Sequence, residues 1–327
     1  MNSNSLRIFA LDASYEFGDS VAAALEVMLS DHEEQIFEDG EHDIFITENI
    51  RGADVFVIHS LYSDEHQSVN DKLVRLLFML GAVRDASAAR VTAVIPYLCY
   101  NHKDQPTNNR EPVSSRYLAQ LLEAAGVHRV LTLDVHNLAA YQSAFRCGTD
   151  HLEAKMLFVN YVAPILTHKD VVVASAHIDG IERAEQFRLA LEKKLGKTVA
   201  SAFMQKNDSD APADSDIVVG NVDGKTVVIV DDLIANGVTM SRVAKACWGN
   251  GANEVIAVAS HGLFTAEAND NLVAADISRI IVTNSVPPFR VTSPMLRDRL
   301  VVLDSAPLFA EAIKWIHQGG SSVALSS

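Results

Sequence analysis

Short runs of valine, isoleucine and leucine recur along the chain with helical patterns between them, and this alternation constrains the fold more than any other feature. DVFVIHS (54–60) reads as a buried strand, and RVTAVIPY (90–97), RVLTLDVH (129–136), DVVVASA (170–176), KTVVIVDD (225–232), EVIAVASH (254–261) and RIIVTNS (279–285) read as further strands. Between the first two, SVNDKLVRLLFMLGAV (68–83) carries Val69, Leu73, Leu76, Leu77, Leu80 and Val83 at helical spacing, and SSRYLAQLLEAAG (114–126) reads as a second helix. Strands that alternate with helices imply an α/β fold with parallel sheets and helical crossovers.

At 327 residues the chain has room for about two domains. AAGVHRVLTLDVH (124–136) and GNGANEVIAVASH (249–261) align without a gap. The match fits a duplicated domain with a boundary near 145–160. It fits equally well two helix–glycine–strand units that look alike for physical reasons. YNHKDQPTNNREP (100–112) and QKNDSDAPADSD (205–216) interrupt the pattern and read as loops.

Charge and composition exclude several classes. A net charge of −15 argues against general nucleic-acid binding, which needs a basic footprint. No apolar stretch is long enough to span a membrane. The opening MNSNSLRIFALDAS lacks a secretion pattern, and Cys99, Cys147 and Cys247 have neither metal nor disulfide spacing. The expected location is the cytoplasm.

VVIVDDLIANGVTM (227–240) is the most informative stretch. In parallel α/β sheets, ligands bind at the carboxyl ends of strands. Asp231 and Asp232 are expected at such an end, where adjacent carboxylates can grip sugar hydroxyls or a metal, and the following helix start can offer N–H groups to a phosphate. An isolated Asp-Asp is more often a solvated strand end. The chain has no Walker A pattern, and GNGANE (249–254) precedes a strand where a dinucleotide fingerprint would follow one.

The stretch resembles the phosphoribosyl-pyrophosphate motif, an apolar strand followed by D-D-x-x-x-x-G-x-T. With FEDGE (37–41), ITENIRG (46–52), VIPYLCYNHKD (94–104), REP (110–112) and LDVHN (133–137), the chain resembles the ribose-phosphate pyrophosphokinases from about residue 7 to 315. That resemblance implies two tandem type I phosphoribosyltransferase-like α/β domains with central parallel sheets. The first, on the ATP side, would span 1–150. The second, on the ribose-phosphate side, would span 151–318, and a flexible tail 319–327. It also implies Mg²⁺, a dimer-based homo-oligomer that is often a hexamer, and transfer of the β,γ-diphosphate of ATP to the 1-hydroxyl of ribose 5-phosphate, releasing AMP.

Carried over residue by residue, Phe37, Asp39 and Glu41 match the adenine loop, and His102, Lys103 and Asp104 the ATP loop. His136 matches a histidine near the metal and the ATP phosphates, and Lys206 a catalytic loop lysine. Asp231 and Asp232 match the ribose-diol pair, and Asn236, Gly237, Val238 and Thr239 fall in the 5-phosphate loop.

Departures accompany these matches. His102 and Lys103 stand where the family has Arg-Gln, so the arginine fork is lost. Gln105 replaces a further arginine, which Arg110 could offset. His177 takes the place of a metal-binding aspartate, Asp179 could supply the carboxylate, and Asp208 reverses the charge of a loop arginine. Ala235 and Val238 replace an aspartate and a glycine of the phosphate loop. Three readings follow. The first is the ordinary synthetase. The second is the same chemistry on a 5-phosphate-substituted ribose such as ADP-ribose, feeding nicotinamide nucleotide resynthesis. The third is a non-catalytic regulatory homologue.

Overall fold

The computed structural model describes residues 5–104, 110–205 and 217–319. The chain forms two compact units, 1–153 with 305–327, and 154–304. No helix among the described residues is long and apolar enough to cross a membrane.

In the first unit the elements run β1 (Leu6–Ala10), α1 (Tyr15–Ala24), β2 (His32–Ile36), β3 (His42–Ile46), β4 (Asp54–Ile58), α2 (Val69–Asp85), β5 (Arg90–Ile95), α3 (Ser114–Ala124), β6 (Arg129–Leu133), α4 (Leu138–Ala144) and β7 (Gly148–Leu152). β1-β4-β5-β6-β7 form a wholly parallel sheet, while β2 and β3 pair as a separate antiparallel hairpin. β4 is buried at every position, which is why its sequence after Asp54 is continuously apolar and not alternating. Ser68 and Asp71 exchange side-chain and backbone bonds in a capping box that starts α2.

The second unit contains α5 (Lys155–Leu166), β8 (Val171–Ser175), α6 (Ile181–Leu195), β9 (Ala200–Gln205), β10 (Ile217–Val219), β11 (Thr226–Ile234), α7 (Val238–Gly249), β12 (Glu254–Gly262), α8 (Ala268–Ala274), β13 (Arg279–Thr283), α9 (Pro294–Arg299) and β14 (Leu300–Leu303). Its sheet runs β10-β9-β8-β11-β12-β13-β14, parallel except for β10. The chain steps outward from β8 to β9 in one direction and from β11 to β12 in the other. Right-handed crossovers therefore put α6 and α7 on opposite faces. The order reverses between β8 and β11, the switch point where such sheets bind ligands.

The parallel series β1-β4-β5-β6-β7 and β8-β11-β12-β13-β14 share one winding, and each has an antiparallel hairpin between its first and second members. The two segments that align in sequence are not equivalents, however. 129–133 is the fourth strand of its series and 254–262 the third of its own. Their likeness is that of any helix–glycine–strand unit.

The last helix, α10 (Ala306–Gln318), expected in the second domain, belongs to the first unit. Phe309 packs edge-on against Phe17 of α1, with ring centroids 5.4 Å apart. His317 Nδ1 lies 2.7 Å from the fully buried Asp54, which also pairs with Arg90.

Candidate active site

The strand expected to end at Asp232 continues to Ile234. β11 pairs with β8 only as far as Val230, opposite Ser175, but with β12 as far as Ile234, opposite Gly262. Asp231 and Asp232 therefore lie in the strand where its neighbour has already stopped, at the mouth of the switch point. Both are buried. The Asp232 N–H donates to Asp231 Oδ1 at 2.9 Å. Burial, and then the Asp232 charge, push the Asp231 carboxyl well above the usual range, while Arg183 pulls it down.

The chain leaving β8 crosses this mouth. His177 Nε2 lies 3.7 Å from Asp231 Oδ2, and Arg183 Nη1, from the first turn of α6, lies 3.4 Å from Asp232 Oδ1. Asp179 sits exposed in a single 3₁₀ turn, Ile178–Gly180. Arg183 escapes a sequence reading because I-E-R-A-E-Q looks like any solvated helix start. Its signal is its place, just after the strand that ends at the switch point.

The loop 235–239 leads into α7. Gly237 adopts φ 73°, and a Cβ there would lie 2.9 Å from Leu272 Cγ, so this position requires glycine. Asn236 Oδ1 accepts from the Val238 N–H at 3.2 Å, and its carbonyl accepts from Asn271 Nδ2 at 2.9 Å. The Val238 side chain is exposed at the helix start, and Thr239 follows it, half-buried.

In the first unit, His102 follows β5 and His136 follows β6, and their ring centroids are 4.3 Å apart. Lys103 is exposed and donates to Glu111 at 2.8 Å, and Asp104 is half-buried. Tyr100, Arg110 and Asp134 have positive φ without being glycine, and Asp134 is buried as well. Backbone strain of this kind gathers around functional loops.

Phe37, Asp39 and Glu41 lie at the exposed tip of the β2–β3 hairpin. Phe37 N–H donates to Glu41 O at 2.8 Å, and Glu41 N–H to Asp39 Oδ1 at 3.1 Å. The hairpin stem is fixed to α2. Arg75 donates to Glu34 Oε2 at 3.0 Å, and His42 stacks on Phe78 with centroids 5.0 Å apart. Burial pushes the Glu34 carboxyl up, but bonds from His32, the Asp12 N–H and Arg75 outweigh it and hold the group down to about 2.

Lys206, Gln105 and Asp208 lie outside the described residues.

Residues 6–126 match the N-terminal domain of ribose phosphate pyrophosphokinase, and residues 197–326 match the phosphoribosyl synthetase-associated domain. A ribose-phosphate pyrophosphokinase of Caldanaerobacter subterraneus is 35% identical over 318 residues, 97% of this chain and 96% of its own. The chain belongs to the ribose-phosphate pyrophosphokinase family. A putative ribose-phosphate pyrophosphokinase 2 of Lactococcus lactis is likewise 35% identical over 96% of this chain and 94% of its own. Among solved structures of the family, the phosphoribosylpyrophosphate synthetase of Mycobacterium smegmatis superposes with a TM-score of 0.87 at 32% identity, covering 97% of this chain and all of that one.

Proposed function

We propose that the protein transfers the β,γ-diphosphate of ATP to the 1-hydroxyl of ribose 5-phosphate, forming phosphoribosyl pyrophosphate and AMP. The sugar O1 attacks the β-phosphorus, the bridge to the α-phosphate breaks, and AMP leaves with the bridging oxygen. The hydroxyl proton passes to solvent. The observation that carries this reading is the buried Asp231–Asp232 pair at the switch point, followed by a glycine-opened helix start, in a chain aligned end to end with ribose-phosphate pyrophosphokinases.

In this reading Asp231 and Asp232 accept from the ribose 2- and 3-hydroxyls, and 236–239 receive the 5-phosphate. Phe37, Asp39 and Glu41 hold adenine, while His102, Lys103 and Asp104 face the ATP phosphates. Lys206 and His136 serve the transfer itself. Phosphoryl-type transfer depends on positioning and charge neutralisation, which is what these groups offer.

Mg²⁺ is the cation this chemistry calls for, and the donors suit an ion carried mainly by the phosphates of ATP. Asp179 offers exposed carboxylate oxygens, and His136 and His177 offer imidazoles, which are weaker partners for a hard ion. When bound, Mg²⁺ would neutralise charge on the transferred group.

We place the protein in the cytoplasm as a homo-oligomer. Its cysteines are all free, which suits a reducing compartment. No observation favours ADP-ribose as acceptor, or a silent regulatory role. AMP release from ATP with ribose 5-phosphate, compared with ADP-ribose, tests the reading. Turnover confined to ADP-ribose would contradict it.

A further inference from the structure

We infer that Arg183 is a positioning residue for the acceptor sugar: its guanidinium orients the Asp232 carboxylate toward the ribose hydroxyls. The inference rests on the proposed function, since it assigns a role within the same sugar grip.

The two carboxylates are not equivalent. Asp231 turns one oxygen back onto the Asp232 N–H at 2.9 Å, which fixes that side chain through the backbone. Asp232 has the Arg183 guanidinium opposite it, 3.4 Å from Oδ1, on a side chain that is itself only 4% exposed. A distance of 3.4 Å is longer than a charge-assisted hydrogen bond. Arg183 thus sets a positive charge against this oxygen of the carboxylate.

The location of Arg183 is a second observation. It stands in the first turn of α6, beside Glu182. The positive end of a helix dipole favours an acid there and disfavours a cation. A half-buried arginine at this position is poorly explained by helix stability. It is well explained by the carboxylates it faces, because two adjacent buried acids repel each other unless a cation lies close. α6 starts just after the strand that stops at Ser175, so a side chain of its first turn reaches the mouth of the switch point directly.

The test uses the full chain with ATP, Mg²⁺ and ribose 5-phosphate, following AMP. Arg183→Gln should raise KM for ribose 5-phosphate about tenfold or more, in line with losing a charged partner. KM for ATP should stay within about twofold. Arg183→Lys should recover most of the loss. In an Asp232→Asn background Arg183→Gln should cost clearly less than it does alone, because most of its effect runs through Asp232. An unchanged KM for ribose 5-phosphate, an equal rise for ATP, or multiplying effects in the double variant would overturn the inference. If Arg183→Gln does not fold, as judged by circular dichroism, Arg183→Met, which keeps the aliphatic stem and removes the charge, carries the same comparison alone and with Asp232→Asn. Wild-type chain that releases no AMP contradicts the functional reading, and this inference with it. Active wild type with an indifferent Arg183→Gln contradicts this inference alone.

Discussion

Asp231 Oδ1 accepts the backbone N–H of Asp232 at 2.9 Å, so the first member of the acidic pair is held by the backbone of the second. The pair should respond unequally to substitution. Asp231→Asn keeps an oxygen for that N–H, whereas Asp232→Asn removes the charge that Arg183 faces. Both should lower kcat/KM for ribose 5-phosphate, Asp232→Asn by about 100-fold, the scale of a lost charged hydrogen bond. Steady-state kinetics with each variant checks the order.

The phosphate loop makes a separate prediction. The exposed Val238 side chain stands at the helix start, and its N–H is already engaged by Asn236. Val238→Gly should open room for a phosphate dianion and lower KM for ribose 5-phosphate several-fold. It should also cost about 0.5–1 kcal/mol of stability through the unfolded chain. Kinetics and thermal melting read the two effects independently.

Acid should destabilise the first unit in two stages. Burial, and then the Lys72 charge, push His59 down to about 3, against a usual value of 6.5. The unfolded chain therefore binds this proton first, and stability is lost as pH falls from 6.5 toward 3. Glu34 is depressed to about 2, so its contribution is present above 4.5 and is lost as pH falls through that lower range. Each group contributes a slope of about 1.4 kcal/mol per pH unit across its own window. Urea unfolding between pH 7 and 5 should show the slope in wild type and a flatter curve in His59→Gln.

The helix α10 should stabilise the first unit. Phe309 is fully buried against α1, and Phe309→Ala should cost about 3–5 kcal/mol. His317→Ala should cost less, about 1–3 kcal/mol, because Arg90 still pairs with Asp54. Denaturant midpoints of the two variants test this ranking.

The buried parallel strands were legible because both of their faces are covered, which leaves continuous apolar runs at 55–58, 93–95 and 255–259. Their ends were less so. Asp231 and Asp232 break the apolar run, yet β11 continues two residues past them by pairing with β12 alone. The hairpin over 32–46 carries mostly polar, half-exposed residues and showed only as the motif at its tip. Short edge strands such as 148–152 and 217–219 gave no periodic signal. The attachment of α10 to the first unit depends on Phe17, Asp54 and Arg90, all distant in sequence. Arg183 was hidden for the same reason, since only the fold sets it against Asp232.

The most direct measurement follows ATP, Mg²⁺, ribose 5-phosphate and the full-length chain by phosphorus NMR. The predicted result is AMP together with a new diphosphate on carbon 1 of the sugar, abolished by chelating the metal. ATP left intact, or cleaved to ADP, in the presence of ribose 5-phosphate would contradict the account.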